Sequence, residues 1–136
     1  MRHEDPRTAD TQAWLAKARQ DLRAAEVDLA AEPPLLEDAL FHCQQAVEKS
    51  LKALLCWNDR AFRKTHSIEE LGEVCISVDA SLAKLIDDTA HMTEYAWAFR
   101  YPGDMEVERA EAEEALALAT RAVGDITALL PEAARQ

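Results

Sequence analysis

"FHCQQAVEKSLKALL", residues 41–55, decides how this chain folds. At about 100° per residue, Cys43, Val47, Leu51 and Leu54 share one helix face, with Leu36 and Leu40 ahead of them on the same stripe. That stripe is made for a core. His42, Gln45, Lys49 and Lys52 form a file about 80° wide on the opposite face. Geometry alone reads the file as the solvated side of the helix. Phe41 and Leu55, however, spread apolar surface toward it, and a helix apolar on more than one side has more than one neighbour. Part of the file is therefore expected to meet a partner or line a cleft.

The flanks bound this helix at 36–57. "EPPLLED" (32–38) precedes it, and Pro33 and Pro34 stop a first helix spanning 11–31. In that first helix Trp14, Leu15, Ala18, Leu22, Ala25 and Leu29 recur at spacings of three and four. "NDRAFRKTH" (58–66) follows as a loop, and its Arg60, Arg63, Lys64 and His66 gather positive charge before a helix start, which favours anions. "SIEE" (67–70) opens a short third helix, 67–76, with Ser67 and Glu70 placed for a capping box. "SVDAS" breaks the chain again. A fourth helix, 80–99, carries Leu82, Leu85, Ile86, Thr89, Met92, Ala96 and Phe99 on one face, and "RYPGD" ends it. A fifth, 105–130, uses Leu116, Ala119, Val123, Ile126 and Leu130.

No segment alternates with period two. The reading is all-α: an antiparallel up-and-down bundle of four long helices and one short one. It forms one domain, 11–131, after a flexible tail, 1–10.

Composition agrees. Hydrophobic residues make up 49% of the 136, and Gly (3) and Pro (5) are scarce. The net charge of −11 opposes non-specific binding to DNA and to an anionic membrane surface. No apolar run reaches the ~20 residues that span a bilayer, and the N-terminal decapeptide carries no signal-like apolar stretch, so a cytoplasmic location is expected. Cys43, Cys56 and Cys75 lack metal-type spacing. Cys43 and Cys56 lie about 20 Å apart along one helix, too far to bridge, so reduced thiols are expected. His42, His66 and His91 are scattered. There is no glycine-rich phosphate loop, HExxH or GxSxG. Neither metal nor cofactor is expected.

Four stretches in order, "WLAKARQDLRAAE" (14–26), "FHCQQAVEKSLKALL" (41–55), "KTHSIEEL" (64–71) and "FRYPGD" (99–104), resemble the landmarks of HEPN-domain proteins, the higher eukaryote and prokaryote nucleotide-binding family. The resemblance covers about residues 12–130. It implies a helical bundle that forms a homodimer in a prokaryotic cytoplasm. It further implies pairing with a minimal nucleotidyltransferase in a toxin–antitoxin-like system, and contact with a nucleotide or an RNA phosphate. It raises Gln45, Glu48, Lys49, Lys52, Thr65, His66, Arg100, Tyr101 and Pro102 as motif positions. Lys49 and Arg100 would bracket a phosphate, with Gln45 on a base or sugar. Lys52, His66 and Tyr101 complete the expected ligand set. The competing view gives Glu48 and Lys52 an ordinary helix ion pair worth ~0.3–0.5 kcal/mol.

Many relatives are metal-independent ribonucleases, with an arginine, four to six residues, then a late histidine. This chain departs from that pattern. Arg100 is followed at the required distance by Met105, Glu106 and Val107, and no histidine lies beyond His91. Arg60 and His66 fit the spacing but sit too early. A ribonuclease alternative would use Arg100 for the phosphate and a histidine, His66 first, for the 2′-hydroxyl.

Overall fold

The computed structural model describes residues 5–99, 101–103 and 106–136. Helix α1 is Pro6–Ala30, α2 Leu36–Trp57, α3 Ile68–Val78, α4 Ala83–Thr89 and α5 Arg109–Ala128. Helices α1 and α2 run antiparallel: Asp28 lies beside Asp38, Asp21 meets His42 and Lys49, and Arg7 reaches the Trp57 carbonyl. Helix α5 is antiparallel to α1 in turn, with Arg109 on the Leu29 carbonyl and Gln12 on that of Ala133. No strand occurs among the described residues.

Helix α1 starts ahead of expectation. Asp5 accepts the Arg7 backbone N–H, and Pro6 takes the first helical position, where a missing N–H costs nothing. The guanidinium of Arg7 binds Asp5, stacks 4.4 Å over Trp57 and donates to the Trp57 carbonyl. Residues 6–10, expected within a flexible tail, are thus helix joined to the end of α2.

The expected fourth long helix is a continuous helical run in mixed geometry. A 3₁₀ turn, Ala80–Leu82, leads into α4, and a second 3₁₀ run, Ala90–Ala96, follows. Buried Thr89 turns its hydroxyl back onto the Leu85 carbonyl at 2.8 Å, a local bond that bends a helix. Only half of the expected capping box forms. Ser67 Oγ accepts the Glu70 N–H, but the Ser67 N–H goes to Thr65 Oγ1 and Glu70 pairs with Arg63.

Helix α2 is the centre of the molecule. Of its expected stripe, Leu36, at the start of the helix, is only partly buried, while Leu40, Cys43, Val47, Leu51 and Leu54 are buried. So, against expectation, is much of the polar file: Gln45 is 8% and Lys52 7% exposed. Four elements flank α2: α1, α3, α5 and the second 3₁₀ run. Gln45 and Lys52 are shut off from water, His42 and Lys49 are partly so, and all four find partners inside the protein.

Candidate functional site

The polar side of α2 resolves into two networks. The first centres on Glu48, only 3% exposed. Its carboxylate accepts Lys52 Nζ at 2.9 Å and Gln44 Nε2 at 3.2 Å, and it holds His66 Nδ1 at 2.8 Å. Gln44 also donates to the His66 carbonyl, and Gln45 donates to Gln44 Oε1. The Lys52 ammonium lies 5.3 Å from the Trp14 ring and 5.8 Å from that of Phe62, so its charge is shared between a carboxylate and two π-faces. The side chain of His66 is 50% exposed, and Nε2 has no partner among the described residues. A buried carboxylate therefore aims a half-open imidazole.

The second network centres on Asp21 of α1. One oxygen accepts Lys49 Nζ at 2.7 Å; the other pairs with His42 Nδ1 at 2.8 Å. On the far side of the His42 ring, Nε2 lies 3.4 Å from Asp38 Oδ2. Asp28 completes the group. Its side chain is buried, and no hydrogen bond reaches Oδ2. Burial, with the Asp38 carboxyl beside it, pushes the Asp28 carboxyl up to about 6, and His42 acts in the opposite sense. Sequence reasoning missed both aspartates. The available signal was their phase: Asp21 stands three residues after Ala18, and Asp28 three after Ala25, on the buried stripe of α1.

The expected ligand residues are thus only partly brought together. Gln45, Lys52 and His66 meet around Glu48, whereas Lys49 belongs to Asp21. Tyr101 is 82% exposed, and Arg100 lies outside the described residues. In the basic loop, Arg63 pairs with Glu70, Arg60 reaches Ser77 Oγ, and Lys64 is exposed. All three cysteines are free, and burial pushes the Cys43 and Cys75 thiols up to about 12, so these two act as small apolar groups.

The family model for the HEPN domain matches residues 11–127. The chain belongs to the HEPN family. A solved structure similar to this HEPN domain is the crystal structure of TT1696 from Thermus thermophilus. It is 29% identical with a TM-score of 0.75, and the match covers 88% of this chain and 98% of that one. No curated protein matches. In this HEPN domain the helix-two motif forms a charge-compensated interior whose outlet is His66. No helix among the described residues is long and apolar enough to cross a membrane.

Proposed function

We propose that the chain is a HEPN binding and interaction module. It forms a homodimer, pairs with a minimal nucleotidyltransferase in a toxin–antitoxin-like system, and takes a nucleotide or RNA phosphate at the open edge of the Glu48 network. The observation that carries this reading is the internal neutralisation of the helix-two cations. Asp21 holds Lys49 and Glu48 holds Lys52, so neither offers uncompensated charge to a phosphate. The groups left for an anion are His66 and the exposed Lys64, and the family resemblance adds Arg100 and Tyr101 to the ligand set. Trp14 and Phe62, at 6.2 Å and edge to face, flank the same network, and aromatic faces of this kind suit a base.

One observation favours a second reading, the metal-independent ribonuclease. A buried carboxylate on Nδ1 with Nε2 open is the arrangement of a positioned base that takes the 2′-hydroxyl proton. Arg100 would then stabilise the phosphorane charge. The test is an RNA cleavage assay in EDTA, comparing the full chain with His66→Ala and Arg100→Ala. The module reading expects no cleavage above the level of either variant. Cleavage by the natural chain that both substitutions abolish, with helicity intact, overturns it in favour of the enzyme.

A further inference from the structure

Separate from the Glu48 network, three side chains at the far end of the α1–α2 pair converge on one point. Asp28, Asp38 and His42 each offer a ligand atom, and these atoms all lie within 4.8 Å of one another. Three features make this more than an acidic cluster. First, Asp28 is 7% exposed, its buried Oδ2 receives no N–H or hydroxyl donor, and its nearest polar company is the Asp38 carboxyl. A buried, unpaired carboxylate oxygen is costly, and a native chain retains one where something else completes it. Second, the His42 ring is already set. With Nδ1 on Asp21 Oδ1 at 2.8 Å, Nε2 is the nitrogen turned toward Asp38 Oδ2, at 3.4 Å. A carboxylate on the outer imidazole nitrogen is the usual support of a metal-binding histidine, because it fixes the tautomer and the ring orientation. Third, the 3.4 Å between His42 Nε2 and Asp38 Oδ2 suits two ligands of one ion. Two ligands about 2.1 Å from a tetrahedral centre stand about 3.4 Å apart.

We propose that Asp28, Asp38 and His42 form a binding site for a first-row divalent cation of the Zn²⁺ class, with Asp21 as the residue that positions His42. One imidazole and two carboxylates are a mixed nitrogen and oxygen set, which suits zinc or its neighbours better than Mg²⁺, an ion that prefers an all-oxygen octahedron. The fourth position is left to water or an exogenous ligand. Asp38 also lines an aromatic cleft of about 400 Å³ with Phe41, Tyr95, Trp97 and Phe99, so the cluster adjoins a pocket able to hold a small molecule. The scatter of histidines and cysteines along the chain spoke against a metal because two of the ligands sit on α2, four residues apart, and the third comes from the facing helix α1.

The test uses the full chain, stripped with EDTA and dialysed, titrated with Zn²⁺ alone in a calorimeter. The proposal expects one site per chain, weakened at least tenfold by Asp28→Asn and by His42→Gln, and unchanged by His91→Gln as a surface control. Co²⁺ should give a visible d–d absorption band that Asp28→Asn removes. Asp28→Asn is the decisive variant, because it keeps the shape of the side chain and removes its charge as a ligand. Absence of Zn²⁺ binding to the natural chain overturns the proposal, as does binding that survives both substitutions. The first outcome would mean that Asp28 and Asp38 close the cluster with a shared proton.

Discussion

Glu48 shows what a single buried charge does in this protein. It is the common partner of Lys52, His66 and Gln44, and both members of the Glu48–Lys52 pair are almost wholly shielded from solvent, at 3% and 8% side-chain exposure. The exposed-pair value of a few tenths of a kcal/mol therefore does not apply. Removing one partner strands the other. Glu48→Ala is expected to cost about 3–5 kcal/mol in urea unfolding, because Lys52 is left buried without a counter-charge. Lys52→Met should cost less, about 1–2 kcal/mol: Glu48 keeps His66 and Gln44, and the thioether fills the slot between Trp14 and Phe62. Equal losses in the two variants would show that the pair does not carry the network.

Asp28 gives a second residue-scale expectation, for the metal-free chain in EDTA. Its folded-state value near 6 stands above the unfolded 3.8. Between those values the folded chain holds more protons than the unfolded one, so stability falls as pH rises from about 4 to about 6 and then levels. The groups around it are Asp38 and His42 on α2, with Arg109 of α5 on the neighbouring Leu29 carbonyl. Asp28→Asn should remove this slope and raise stability at pH 7 by about 1–3 kcal/mol. Urea titrations at pH 4 and pH 7 measure it; an unchanged slope in the variant would contradict it.

At the scale of elements, two glycines separate packing from propensity. In α3, a Cβ on Gly72 would collide with Cγ2 of Ile86, a buried branched side chain with little room to turn. Gly72→Ala is expected to destabilise by about 1–3 kcal/mol, or to push α4 off α3, despite the better helix propensity of alanine. In α5, nothing lies within 4 Å of a Cβ on Gly124. Gly124→Ala should stabilise by up to about 1 kcal/mol. Thermal unfolding of the two variants should move in opposite directions, and a shared sign would contradict the packing around Gly72. The helices themselves were legible from spacing: most of the apolar stripes of α2 and α5 are buried, with Leu36 and Leu116 partly so, and Pro33 with Pro34 marks the end of α1. The mixed 3₁₀ character of 80–96 was not legible, because it arises from tertiary packing and the Thr89 back-bond rather than from a breaker residue. The burial of Gln45, Lys52 and Asp21 was hidden for a related reason. Periodicity shows which residues share a face but not how many neighbours that face will have, and a central helix buries polar residues as readily as apolar ones once their partners come with the fold. Phe41 and Leu55 were the sequence signs of that central position. The pairing of Lys49 with Asp21 links stretches 28 residues apart and could be read only from structure.

For the whole molecule, the proposed homodimer needs an apolar face. Leu35 and Trp97 are large and exposed, at 53% and 49%, and they rim adjoining clefts that share Glu37 and Asp38. If this face is the dimer interface, Trp97→Asp and Leu35→Asp should each shift sedimentation equilibrium toward monomer by at least tenfold in dissociation constant. A dimer indifferent to both would place the interface elsewhere. The central claim, that helix two builds a neutralised interior whose open outlet is His66, is tested most directly by calorimetric titration of AMP into the natural chain, His66→Ala and Lys49→Met. The account predicts saturable binding, at least tenfold weaker in His66→Ala and within about threefold of natural in Lys49→Met. Binding that survives loss of His66 but disappears with Lys49 would contradict it.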